Sequence, residues 1–131
     1  MLVQTLAPEA RSIVLAAQHD ADTFVASELA WRRALRYPPF STLVRIVCSA
    51  EPPGAAQAAA AAVKERLAGG AAGAALGPAP LFRLRGRERA QVVVKAAERR
   101  PAVAAIDAAV QAVAGDRTFR GVSFSVDVDP Q

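Results

Sequence analysis

The residues best suited to binding chemistry are seven basic side chains between positions 83 and 100. Only two acidic residues, Glu88 and Glu98, lie in that stretch, so it carries a net charge of +5, whereas the whole chain carries +4. Arginine binds phosphate and carboxylate groups as a planar, two-pronged donor. The seven residues are Arg83, Arg85, Arg87, Arg89, Lys95, Arg99 and Arg100.

Three interpretations of this cluster remain open from the residues alone. The arginines around Gly86 could contact a phosphate backbone or dock an acidic peptide. They could also form a solvated strand face and pair with nearby carboxylates. The first interpretation predicts DNA binding by Arg83, Arg85, Arg87, Arg89 and Lys95.

Other residues that could be catalytic or bind a metal lack the further residues that such a site requires. Asp127 and Asp129 share a strand face, yet nothing supplies the rest of a metal site or an acid–base pair. His19 is the only histidine, and Cys48 is the only cysteine and lies in an apolar run. The glycine-rich segment at 69–78 lacks the Lys and Ser/Thr of a phosphate-binding loop. We therefore predict no catalytic residue, no metal site and no cofactor within this chain.

Length and composition limit the number of domains and the classes of protein to which this chain can belong. A chain of 131 residues fits one domain, or one domain with an appendage. A single cysteine excludes a disulfide framework and a multi-cysteine zinc site within these residues. No apolar run reaches the 18 residues that favour a membrane span, and residues 1–6 are too short for a signal peptide. The expected location is cytoplasmic, with no membrane partner.

The first 40 residues predict a short strand and two helices. MLVQTL at 1–6 is typical of a strand, and Pro8 and Glu9 favour a helix start. Asp20 or Asp22 is expected to cap a second helix that ends near Arg36. The two prolines in YPPF at 37–40 stop that helix.

From residue 41 onward the pattern predicts an α+β domain. A β-branched strand at 41–50 precedes an alanine-rich helix at 55–67, and a hairpin around Gly86 follows, with strands at 79–85 and 89–96. A helix at 99–114 leads to a last strand in which Val122, Phe124, Val126 and Val128 alternate with polar residues. The order βαββαβ is that of a ferredoxin-like split βαβ fold, with a four-stranded antiparallel sheet and two helices on one face.

Two functions that share this order are disfavoured. An RNA-recognition motif stacks bases on aromatic side chains of its central strands, whereas the third strand here offers Val92, Val93 and Val94. A ferredoxin-like acyl phosphate hydrolase would need an asparagine to position water, and the sequence contains none.

Five motifs in order give a more specific indication. They are VQTLAPE at 3–9, ELAWRRALRYPPFS at 28–41, LGPAP at 76–80, RLRGRERAQVVVK at 83–95 and DVDP at 127–130. Together they resemble the C-terminal end of the primosomal protein N′ (PriA) family of replication restart helicases. The resemblance covers essentially the whole chain. It implies that residues 1–40 are the end of the second helicase lobe with its connecting helices, and that 41–131 are the C-terminal domain.

The resemblance also implies a function. Family members recognise forked or single-stranded DNA and bind the tail of single-stranded DNA-binding protein, while ATP, magnesium and zinc belong to upstream parts of the parent chain. This chain is then expected to be a non-catalytic DNA-binding and scaffolding domain, without helicase activity, that contacts the remaining helicase domains. Arg99 corresponds to the basic residue of the tail pocket, and Arg99 and Arg100 are expected to meet a partner carboxylate. Val103 stands where some members carry glutamine. A purely structural interdomain module and a ferredoxin-like regulatory module are the alternatives.

Overall fold

A computed structural model describes residues 2, 4–70 and 72–130. The chain divides into two compact units, Met1–Tyr37 and Pro38–Gln131. The assignment of residues 1–40 to the end of a helicase lobe stays a prediction.

The first unit contains two helices, α1 (Arg11–Ala17) and α2 (Ala21–Ala34). Asp20 caps α2, as predicted, by accepting a hydrogen bond from the Thr23 amide at 3.0 Å. The hydroxyl and the amide of Thr23 both hold the pKa of the Asp20 carboxyl below its usual value. None of the described residues of this unit is buried.

The strand predicted at residues 1–6 is absent from the part of that segment which the structure describes. Met1 and Val3 lie outside the described residues, and Leu2 and Gln4–Leu6 have no strand conformation. A strand needs a neighbouring strand to satisfy its backbone donors and acceptors. The described part of the first unit contains no strand that could be that neighbour.

The second unit has the predicted ferredoxin-like architecture. Its four strands form one antiparallel sheet in the order β2-β3-β1-β4. Helix α3 packs on β1, β2 and β3, and α4 packs on α3 and β4. The elements are β1 (Thr42–Ala50), α3 (Ala55–Leu67), β2 (Ala74–Leu84), β3 (Arg87–Ala96), α4 (Arg99–Ala114), a 3-10 helix (Arg117–Phe119) and β4 (Ser123–Val128).

The core lies between the sheet and the two helices. Alternate residues of β1 and β3 point to one side, because successive side chains of a strand face opposite ways. Small alanines on both helices bring their backbones close to the valine-rich sheet. The core residues include Val44, Ile46, Cys48, Val92 and Val94 from the strands and Ala59, Val63, Leu67, Ile106 and Val113 from the helices.

Strand β2 begins five residues earlier than the sequence predicts. The glycine-rich segment was expected to be a flexible connector, but Ala74–Pro78 belongs to the strand. Gly77 permits this, since its φ is +110° and a Cβ there would lie 2.8 Å from the Gln91 carbonyl oxygen. The side-chain ammonium of Lys64 and the side-chain amide of Gln57 on α3 donate to the carbonyls of Gly77 and Pro78.

No helix in the described part of the chain is long and apolar enough to cross a bilayer.

Candidate nucleic-acid interface

One face of the sheet lies opposite the face on which α3 and α4 pack, and we call it the open face. It consists of the residues that alternate with the buried ones. The strand registers arrange them in rows across the sheet, such as Leu81–Arg89–Ser49–Ser123 and Leu76–Val93–Arg45–Asp127. Four of its residues are basic: Arg45, Arg87, Arg89 and Lys95.

The connection between β2 and β3 is a two-residue turn formed by Arg85 and Gly86. Both have positive φ, at 52° and 76°, as the tight type I′ hairpin turn requires. Arg83 donates to the Gly86 carbonyl at 2.9 Å and lies 3.7 Å from the Glu88 carboxylate. Arg85 is exposed and makes no hydrogen bond or ion pair with any described residue. The hairpin tip therefore presents one arginine whose donors all face solvent.

Arg87, by contrast, joins three strands of the sheet. Its Nε donates to the Ser49 hydroxyl at 3.0 Å, and its Nη2 donates to the Ser49 carbonyl at 2.9 Å and the Gly121 carbonyl at 3.2 Å. A carboxylate oxygen of Glu51 lies 3.5 Å from Nη1. Sequence alternation groups Arg87 with Arg85, whereas the structure shows Arg87 bound within the protein.

Arg89 and Lys95 both lie on the open face and are half-buried. Arg89 stands between Leu81 and Ser49 in its row, near the hairpin. Lys95 stands near the other end of β3, between Ala74 and Leu43.

The two arginines predicted to bind a partner lie away from the hairpin. Arg99 and Arg100 begin α4, after the ten residues of β3, which span roughly 30 Å. Arg99 Nη1 lies 3.8 Å from an Asp129 oxygen, and the other Asp129 oxygen accepts from the Leu43 amide at 3.1 Å. The seven basic residues thus form two groups at opposite ends of β3.

Sequence reasoning missed Arg45, which lies at the centre of the open face. Its Nη2 is 3.5 Å from the Asp127 carboxylate, and its Nε is buried with no acceptor among the described residues. The alternation in TLVRIVCSA contains the signal for Arg45. Successive side chains of a strand face opposite ways, so a strand that buries Val44 and Ile46 must place Arg45 on the other face.

The carboxylates and the cysteine behave as structural groups. Asp127 pairs with Arg45, and Asp129 with Arg99. Within the described residues, no three or more His, Cys, Asp or Glu side chains come together to hold a metal ion. Burial raises the pKa of the Cys48 thiol to about 11, which makes it a poor nucleophile at neutral pH.

Comparison with known proteins identifies related sequences. The family model described as "Primosomal protein N C-terminal domain" matches residues 33–131. The replication restart protein PriA of Thermotoga maritima is 30% identical over 131 residues, which cover 98% of this chain and 16% of the relative. The replication restart protein PriA of Bacillus subtilis is 30% identical over 134 residues, covering 99% of this chain and 17% of the relative. The chain therefore spans about a sixth of the length of these relatives.

Proposed function

Because the chain belongs to the primosomal protein N C-terminal domain family, we propose that it is a non-catalytic DNA-binding and scaffolding domain of a replication restart protein. Its DNA ligand would be forked or single-stranded. Its binding energy would come from contacts between arginines and backbone phosphates, which carry no base-specific information.

The exposed Arg85 at the hairpin tip is the observation that carries this proposal. The type I′ turn sets the positive φ of Arg85, and its exposed side chain makes no hydrogen bond or ion pair with a described residue. Arg83 and Arg89 lie two residues before and four residues after Arg85 and add positive charge near the hairpin end. Such a group of guanidiniums suits a phosphate backbone.

The second part of the proposal concerns the basic end of α4. Arg99 and Arg100 are exposed, and the only ion pair of Arg99 among the described residues is the 3.8 Å contact with Asp129. So long and exposed a pair contributes little, and another carboxylate can replace it. The acidic tail of single-stranded DNA-binding protein would bind there, separate from the DNA contacts at the hairpin.

No helicase activity is proposed for this chain, because the match is to the C-terminal domain of the family alone. We propose that the sites for ATP, magnesium and zinc lie in the remainder of a longer protein. The other helicase domains of that protein would be neighbours of this chain. A cytoplasmic location is part of the same proposal.

The test is a fluorescence anisotropy titration of the chain against a forked DNA and a matched linear duplex, at low and near-physiological salt. We expect binding that favours the fork and weakens steeply with salt. Arg85→Ala should weaken fork binding and reduce the slope of log K against log salt by about one. Arg66→Ala, on α3 in the helix layer, removes the same charge and is the matched control.

An equal effect of Arg85→Ala and Arg66→Ala would show that only net charge matters, and would refute the hairpin contact. No binding to either DNA at low salt would refute the DNA-binding function and favour the purely structural interdomain module. A ferredoxin-like regulatory module would instead bind a small molecule or form a homodimer.

A further inference from the structure

We propose that a depression on the open face, between β1 and β4, binds a single phosphate group of the DNA backbone. This inference rests on the proposed function and deepens it, because it assigns one phosphate to a defined set of side chains on the open face that does not include Arg85. The depression has a volume of about 480 Å³. The side chains that would hold the phosphate are Arg45, Arg89, Ser49, Ser123 and Ser125.

Two guanidiniums supply the charge. Arg45 and Arg89 both line the depression, and they reach it from adjacent strands, β1 and β3. Arg89 makes no hydrogen bond or ion pair with a described residue. Arg45 has five N–H donors, yet its one ion pair with a described residue is the 3.5 Å contact with Asp127. Both side chains therefore have donors to spare for an anion.

Arg87 prepares two of the serines to act as donors. The Ser49 and Ser123 hydroxyl oxygens accept hydrogen bonds from Arg87, at 3.0 Å and 3.4 Å. A hydroxyl that accepts from a guanidinium directs its own proton elsewhere, and the depression lies beside both serines. The internal role of Arg87 thus assists binding without direct contact with the ligand.

Ser125 provides a third hydroxyl. It is exposed, pairs with Val47 and lies between Ser123 and Asp127 along β4. It makes no hydrogen bond with a described residue. Three hydroxyls and two guanidiniums surround the depression, whereas Asp127 is the only acidic residue among its described lining residues. This arrangement suits a group that only accepts hydrogen bonds, carries negative charge and has oxygens in several directions, as a phosphodiester does.

The position of the depression also favours a backbone phosphate. Its Arg89–Ser49–Ser123 row lies at the hairpin end of the sheet, next to the turn that carries Arg85. One strand of DNA held by Arg85 can therefore continue across the open face. A carboxylate peptide is the competing ligand.

The test uses the same forked DNA with three further variants. Arg45→Gln should weaken fork binding about tenfold and reduce the salt slope by about one. Ser125→Ala should weaken binding about threefold and leave the salt slope unchanged, because it removes a hydrogen bond and no charge. Arg66→Gln in the helix layer is the control, because it removes the same charge as Arg45→Gln. It should leave the affinity for the fork within about 1.5-fold of the parent.

The outcomes separate this inference from the proposed function. If Arg85→Ala weakens binding while Arg45→Gln and Ser125→Ala do not, the depression is refuted and the DNA-binding function stands. If the parent chain binds no DNA, the proposed function itself fails.

Two additional readouts keep the inference testable. Should Arg45→Gln unfold, as judged by circular dichroism, Ser125→Ala decides alone, because Ser125 is exposed and its removal leaves no buried gap. A titration with hexa-aspartate tests the competing ligand. If Ser125→Ala weakened binding of that peptide and left DNA binding intact, the phosphate assignment would be wrong.

Discussion

The two faces of the four-stranded sheet are built from the same strands and have opposite chemistry. On the helix-covered face, Ile46 and Val92 are fully buried among alanines and valines. On the open face, Arg45 and Arg89 line a polar depression. The difference arises from the two-residue period of the strands, which assigns successive positions to burial or to solvent. One face provides stability, and the other carries the polar side chains for which we propose DNA binding.

The largest expected effect is a loss of stability on the covered face. Ile46→Ala should lower the free energy of unfolding by about 2–5 kcal/mol, because it leaves a cavity in a close-packed core. Val47→Ala, the next residue on the open face, should cost less than about 1.5 kcal/mol, since Val47 is only half-buried. Urea denaturation measures both. Equal losses would mean that the faces do not differ in packing.

A pH effect on the covered face should come next in size. The pKa of Cys48 is about 11 in the fold and about 9 when exposed, so the unfolded chain loses the thiol proton first. The unfolded state is therefore favoured as pH rises from 9 to 11, and the fold should lose about 2–3 kcal/mol over that range.

Cys48→Ala serves as the control for this pH effect. Urea denaturation of both proteins at pH 8 and pH 11 isolates the thiol, because every other titrating group is shared. If the two proteins lost stability equally, the Cys48 thiol would not be the cause.

A smaller contrast should separate two arginines of the same hairpin. Arg87→Ala should cost about 1–3 kcal/mol, because it removes the hydrogen bonds that join β3 to Ser49 and Gly121. Arg85→Ala should change stability by less than about 0.5 kcal/mol, because Arg85 has no partner among the described residues. Thermal unfolding followed by circular dichroism tests the pair. A destabilised Arg85→Ala would place Arg85 among the structural residues.

Much of the second unit could be predicted from the sequence because its elements depend on local patterns. The bounds of α3 and α4 agree with those expected from the apolar spacing and the alanine content. The start of β2 was missed, since glycines and prolines at 73–78 favour a loop and only pairing with β3 makes this segment a strand. Long-range pairing therefore overrode local propensity.

The candidate site was predictable only in part for the same reason. The concentration of arginines at 83–100 is visible in the sequence. That Arg87 bonds to Ser49, 38 positions away, depends on strand register, which no local pattern reveals. Arg45 could have been assigned to the open face from its alternation with buried neighbours, but its proximity to Arg89 and Ser125 required the sheet order.

The most direct test of the central claim compares two double variants with the same loss of charge. Arg85→Gln with Arg89→Gln removes charge from the hairpin tip and the open face, whereas Arg66→Gln with Arg117→Gln removes it from α3 and from the 3-10 helix beside α4. Fork affinity at near-physiological salt should fall at least about tenfold for the first pair and less than about twofold for the second. Equal losses would contradict the claim that the open face and its hairpin form the binding surface.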